Sequence, residues 1–435
     1  MRLLAAAGLG LLAMAPARAA DDTAFVAWAR ANASPLSLCT RLDAAGKAIG
    51  DAPVVALGEP VHGGHEPLAF RNCLFRYLVE ERGFTAIALE TGLSESRALD
   101  DYAAGSGGSA RDVARQGFTW GFWRFPENIE LLDWIRAYNA DPRHGRKIRI
   151  YGIDMSGGEA SGEWRNARRT LDDSMAFLAR AAPSESMGLR ARLASFAGRF
   201  NLTGYRELPA GERARLRSAI GELGAFFDAH RAALIAAASQ ADYDWARQNA
   251  IAARQLEALF AVSGRPDPGG NLSPGDYKSD AARDAAMAAN VRWVIDREGA
   301  GGRVLVFAHN GHVMNGRTRG GIWSVYTRPP AAMGEHLRAA LGRKLMIIGT
   351  SGSVRGSAPE RKPATLDAAL AKVGADHFLL DFRQPDDPAA RSWLRRTQSL
   401  QVNSSTENLI VPARAFDAML FFRTISPVRR LDAGG

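Results

Sequence analysis

Seven short apolar runs carry no in–out alternation of polar and apolar residues, and this constrains the fold more than any other feature of the chain. They are Val54–Leu57, Thr85–Leu89, Lys147–Tyr151, Arg303–Phe307, Lys344–Ile348, His377–Leu380 and Met419–Phe422. A strand covered on one face alternates, whereas a strand covered on both faces loses the alternation, as in parallel sheets. Amphipathic stretches separate the runs, the clearest being Pro67–Arg82, Pro126–Asn139 and Ala281–Arg297. Two of them begin with Pro, which suits a first helical turn because its missing N–H has no partner there anyway. The alternation predicts an α/β fold: a mainly parallel central sheet flanked by helices.

The middle of the chain reads differently. From Gly162 to Glu257 there is almost no strand signal, and Ala, Arg, Leu and Glu dominate. A helical insertion is expected there, closed by the Gly-, Pro- and Asp-rich loop Gly264–Lys278. The first residues form a further segment: Arg2, an apolar run Leu3–Ala15, then Ala17-Arg18-Ala19. That is the order of a secretory signal peptide. The run is shorter than the roughly 20 apolar residues that span a bilayer. The expected organisation is a leader over 1–20, an α/β domain from 21–160 and 279–435, and a helical insertion with its connecting loop over 161–278. The expected location is periplasmic or secreted, without stable membrane insertion. The net charge of +9 is spread as single Arg residues, with no basic run interleaved with aromatics. Nucleic acid is therefore not an expected partner. Cys39 and Cys73 are the only cysteines; the sequence leaves a disulfide and two buried thiols equally open.

The residues that follow the first four strands carry the chemistry. The first runs into Glu59-Pro60-Val61-His62-Gly63-Gly64-His65-Glu66, the second into Glu90, the third into Asp154, and the fourth into His309-Asn310-Gly311-His312. In open α/β sheets the ligand crevice lies beyond the carboxyl ends of the strands. Packing does not call for this repetition, since a buried carboxylate is costly unless paired. Four of the eight histidines fall in the windows His62–His65 and His309–His312. A neutral His next to a carboxylate is a general base near neutral pH, so His62 with Glu59 or Glu90 is the expected base acting on water. Arg71, inside the following helix, either stabilises an oxyanion or forms a structural ion pair with Glu59 or Glu90. Arg283 is a second cation, for which a surface salt bridge is the plainer reading. Trp120, Phe122 and Trp123 read equally as pocket lining or core.

Other chemistries have less support. There is no GxSxG elbow, P-loop or GxGxxG turn, and neither cysteine has a neighbouring His. The same His and Glu residues, with Glu66 and Asp154, offer ligands for Zn²⁺ or Mn²⁺, although the HExxH motif is absent. The preferred reading takes no metal and no cofactor, with a metal-dependent hydrolase as the alternative. A periplasmic small-molecule binding protein is the third option, which the number of ionisable groups disfavours.

Several blocks resemble the erythromycin esterase family. They are GEPVHGGHEPLAFRNCLFRYLVEERGFTAIALE, WGFWRFPENIELLDWIRAYN, IRIYGIDM, RDAAMAANVRWV, VLVFAHNGHV and FDAMLFFRTISPVRRL. Pro60-Val61 departs from the small residues common at that point of the pattern, and the helical middle is not recognisable. The resemblance implies hydrolysis of an ester or lactone, a macrolactone in the named members, by water without a covalent intermediate. It implies His62 as base, Glu59 and Glu90 as its carboxylate partners, and Arg71 and His309 as further catalytic groups. His65, Glu66, Asp154, Arg283 and His312 would bind substrate or support these.

Overall fold

The computed structural model describes residues 22–159, 164–264, 272–354, 365–383, 385–403 and 406–432. The leader-like segment and part of the Gly264–Lys278 loop lie outside them. The strands are β1 (Ser34–Pro35), β2 (Val54–Glu59), β3 (Ala86–Gly92), β4 (Arg149–Asp154), β5 (Val304–His309), β6 (Leu345–Val354), β7 (His377–Asp381), β8 (Gln398–Val402), β9 (Thr406–Ile410) and β10 (Ala418–Ile425). Eight form one sheet in the order β1-β7-β10-β6-β2-β5-β3-β4, and β8 and β9 pair as a separate ribbon. The pairs from β10 through to β4 are parallel. Only the β10–β7 and β7–β1 pairs, at one edge, are antiparallel. The expected α/β architecture is therefore the observed one.

Burial explains the missing alternation. Along β2, Val54 and Ala56 enter one core, while Val55 and Leu57 enter the opposite one. The same division holds for Ala86 and Ala88 against Ile87 and Leu89, and for Val304, Val306 and Ala308 against Leu305 and Phe307. Each strand thus packs apolar residues on both sides. On the Ala-rich face the helix Tyr277–Glu298 buries Met287, Val291 and Val294, each side chain worth about 1.5–3 kcal/mol on full burial. On the other face the helix His65–Arg82 buries Phe70, Leu74, Phe75 and Leu78, and it ends at Gly83 in the left-handed conformation. Cys39 and Cys73 are joined by a disulfide, Cα to Cα 5.1 Å, which ties the segment before β2 to that helix.

Residues 169–262 hold six α-helices, from Arg169–Ala181 to Gln240–Val262. They share a core of their own, including Leu171, Phe177, Leu223, Phe227, Leu256 and Phe260, which reaches the sheet at Met155. The sequence reading missed the β8–β9 ribbon, because QSLQV and TENLI are too polar to stand out as strands. It also ended several strands early. Glu59, Glu90, Asp154 and His309 lie within the strands rather than in the loops after them, so the backbone ladder itself holds their side chains in place.

Candidate active site

The chain order of the four site strands is β2, β3, β4, β5, but β5 inserts between β2 and β3. Glu59 and His309 become register partners across β2 and β5. Glu90 sits on the other side of β5, at a register irregularity of β3 between Leu89 and Gly92. A shift of this kind re-aims a side chain.

His62 lies on the turn after β2. Its Nδ1–H donates to Glu59 Oε1 at 2.8 Å, and its Nε2 is 3.9 Å from Glu90 Oε1. The His62 side chain is 37% exposed against 5% for both carboxylates, so of the three it is the imidazole that opens to the cavity. Other segments clamp the turn: Asn403 N–H donates to Pro60 O, Val428 N–H to Gly63 O, and His65 N–H to Ser426 O. Gly63 takes φ +74°, a conformation that a residue with a Cβ adopts only with strain. Burial lowers the basicity of His62, but the charge of Glu90 and the bond and charge of Glu59 outweigh it, so its pKa is raised. Burial also raises Glu59, against the bond and charge of His62. Glu59 Oε2 is buried with no hydrogen-bond partner.

The β3–β4 side is far better satisfied. Glu90 accepts from His309 N–H at 2.7 Å and from Arg283 Nη2 at 3.0 Å, and His312 Nε2 is 3.4 Å away. Burial opposes its ionisation, yet the charges of His312, His62 and Arg283 hold it well below the usual carboxylate range. Arg283 also forks onto Asp154, at 3.0 and 2.7 Å. Asp154 accepts from Trp120 Nε1 at 2.8 Å as well. The guanidinium lies 5.1 Å from the Trp120 ring centroid. Trp120 holds φ +59°, and a Cβ on Gly158 would sit 2.6 Å from its ring; only glycine leaves that ring its place. His312 Nδ1–H donates to Asp284 Oδ1 at 2.9 Å. Burial disfavours its charged form, but Asp284 and Glu90 overcome this and push it up to about 10.

The remaining expected residues fall elsewhere. His309 lines the cavity, but its Nε2–H donates to Pro60 O and its Nδ1 accepts from Gly311 N–H, both at 3.2 Å. Burial and the charge of His62 drive its pKa down to about 3, so it is neutral and spent on the backbone. Arg71 is buried beneath the site and bonds Asn72 Oδ1, with its guanidinium over the Phe307 ring. It makes no ion pair with Glu59 or Glu90 among the described residues, and neither reading of it from sequence matches this position. His65 pairs with Glu127 at 2.6 Å, and Glu66 accepts Ser426 N–H at 2.6 Å. The His65 side chain ties its helix to the helix Pro126–Ala140, the Glu66 side chain braces the C-terminal segment, and neither lines the cavity. Arg283, read from spacing as a surface cation, is instead the centre of a buried network. Sequence reasoning passed over Asp284 and Glu127; Asp284 stood next to Arg283 in the RDAAM block, and nothing in its type or spacing set it apart.

The cavity over these residues holds about 1040 Å³, with Trp120, Phe122 and Trp123 in its wall and Trp323, Asn403 and Arg430 at other sides. Among the described residues no group of His, Cys, Asp or Glu is arranged as a metal cage. The donors are committed: a guanidinium already bridges Glu90 and Asp154, and both His309 nitrogens serve main chain.

The erythromycin esterase sequence profile matches residues 79–425. The chain belongs to the erythromycin esterase family. It is 27% identical over 311 residues to erythromycin esterase type II of Escherichia coli, covering 70% of each chain. It is 33% identical to the type I enzyme of the same organism over 104 residues, 24% of each. A Bacillus cereus protein of solved structure superposes with TM-score 0.77 at 23% identity, over 94% of this chain and 98% of that one. A mutant erythromycin esterase in its open conformation gives 0.65 at 17%, over 91% and 98%. At such identities the solved structures carry the fold alone.

Proposed function

We propose that this family member hydrolyses a carboxylic ester or lactone with water activated by His62. The observation that carries the reading is the polarity of one imidazole: Nδ1–H is fixed by Glu59, which leaves Nε2 as the basic atom facing the cavity. Neutral His62 takes a proton from water as the water attacks the carbonyl, and returns it to the leaving oxygen. Arg283 and His312 are cationic near neutral pH beside that position, suited to the developing oxyanion. Nothing in this scheme needs an enzyme nucleophile or a metal. Macrolide hydrolysis belongs by name to the Escherichia coli relatives; here a macrolide is one member of the ester and lactone class. Export to the periplasm or medium is part of the proposal, supported by the leader-like first 20 residues and by the Cys39–Cys73 disulfide.

The test is turnover of a panel of esters, lactones and macrolides by the purified protein. His62→Ala is expected to lower kcat/KM by about 10²–10⁴-fold, the usual worth of a general base. Full activity in that variant would sink the mechanism. Ligand binding without turnover of any member would make the protein a binding protein.

A further inference from the structure

The charges in the cavity wall do not balance evenly. On one side, Arg168 is paired with Asp172 and Arg169 with Asp173, while Glu159 is paired with Arg165. Glu95 is the lining carboxylate with an oxygen left unbonded, and burial raises its pKa toward the neutral form. On another side stand Arg124 and Arg430, neither with a carboxylate within ion-pair distance among the described residues. Each guanidinium lies against an aromatic face instead, Arg124 at 5.6 Å from the Trp123 ring centroid and Arg430 at 5.7 Å from that of Phe125. The two reach one wall because their segments are laced together. Leu431 N–H donates to Arg124 O at 2.8 Å, and Arg124 Nε–H donates to Leu431 O at 3.2 Å. Arg124 and Arg430 thus bring positive charge and two guanidinium forks to this wall.

We propose that the substrate carries a carboxylate remote from its scissile ester, and that Arg124 and Arg430 bind it. This rests on the hydrolytic reading above and names the substrate class for it. A guanidinium resting on an aromatic face is weakly hydrated and presents its fork to a carboxylate at little desolvation cost. The chain's net positive charge adds long-range attraction for an anion.

The test compares para-nitrophenyl monoesters of dicarboxylic acids, in a series of increasing chain length, with para-nitrophenyl alkanoates of matched length. At low ionic strength the acid-bearing ester of best length is expected to be favoured in kcat/KM by about tenfold or more, equivalent to about 1.4 kcal/mol. Added salt should shrink the ratio. R124Q/R430Q should bring it close to unity, and R124K/R430K should restore part of it. No preference at any length, or a preference untouched in R124Q/R430Q, overturns the proposal while leaving hydrolysis standing. A calorimetric series separates the two readings further, with dicarboxylic mono-anilides set against neutral alkananilides. Carboxylate-dependent binding that R124Q/R430Q abolishes, without turnover of any ester, upholds the anion site and overturns the hydrolase reading.

Discussion

On the β2 side of the cluster, His62 has one bonded carboxylate, Glu59, whose second oxygen is buried without a partner. On the β3–β4 side, Arg283 spans two carboxylates, His312 bridges Asp284 and Glu90, and Trp120 adds a donor to Asp154. The first half is sparse, and the charges of Glu90 and Glu59 raise the pKa of its imidazole. The second is saturated with opposite charges and keeps its own. A base must gain and lose a proton each cycle, whereas an electrostatic support must not reorganise as charge develops. In the proposed mechanism the proton moves on the β2 side and the fixed charge lies on β3 and β4.

The severest way to break this contrast is to remove the central cation of the saturated half. Arg283→Met leaves Glu90 and Asp154 buried without their guanidinium. Stability is expected to fall by about 3–5 kcal/mol, as when one member of a buried pair is lost, and kcat/KM by about 10²–10³-fold. Denaturant unfolding and steady-state kinetics read the two effects. Wild-type stability in Arg283→Met would mean that the network is dispensable.

A smaller effect is expected from Asp284→Asn, which keeps the shape but removes the charge that holds His312 protonated. The folded pKa of His312, about 10, lies above its ordinary 6.5. Its stabilising contribution is therefore complete below pH 6.5 and is lost as pH rises through 10. For Glu90, depressed below 4.5, the contribution is complete above 4.5 and is lost as pH falls. The pair together stabilise most between pH 4.5 and 6.5. Asp284→Asn should move the alkaline loss of both stability and activity to lower pH, seen in thermal unfolding and in kcat/KM across the pH range. An unmoved alkaline limb would remove His312 from this account.

The mildest change sharpens the sparse half. In the proposed mechanism His62 acts in its neutral form, and its pKa is raised above 6.5, so kcat/KM should climb with pH through a midpoint above that value. Glu59→Gln removes the negative charge that favours the imidazolium while Gln can still accept from Nδ1–H, and the acid limb should shift toward lower pH. An acid limb left where it is would show that Glu59 does not act on His62.

Much of the site is legible in the chain because its residues have no packing reason to be where they are. Glu59, Glu90, Asp154 and His309 interrupt runs that are otherwise Val, Ile, Leu and Ala, and a carboxylate among these is expensive without a purpose. The direction of a side chain on a helix is less legible. Arg71 and Arg283 look alike in sequence, each an Arg inside an amphipathic stretch, yet one is turned onto Phe307 beneath the sheet and the other onto Asp154 and Glu90 at its edge. That choice depends on which face of the sheet each helix covers. His309 shows the same limit, for its nitrogens are taken by carbonyl and amide groups of Pro60 and Gly311.

Hydrophobic periodicity alone thus carries the α/β class and the seven longer strands of the sheet, since burial on both faces is written locally into each run. It also brings the ionisable residues to the carboxyl ends, because the strand before each of them is parallel to its neighbours. The insertion of β5 between β2 and β3 is a tertiary decision. It sets Glu59 beside His309, brings His312 within reach of Glu90, and lets Arg283 and Asp284 complete the charges. No local pattern encodes the order of strands in a sheet, which follows from how the helices between them pack on its two faces.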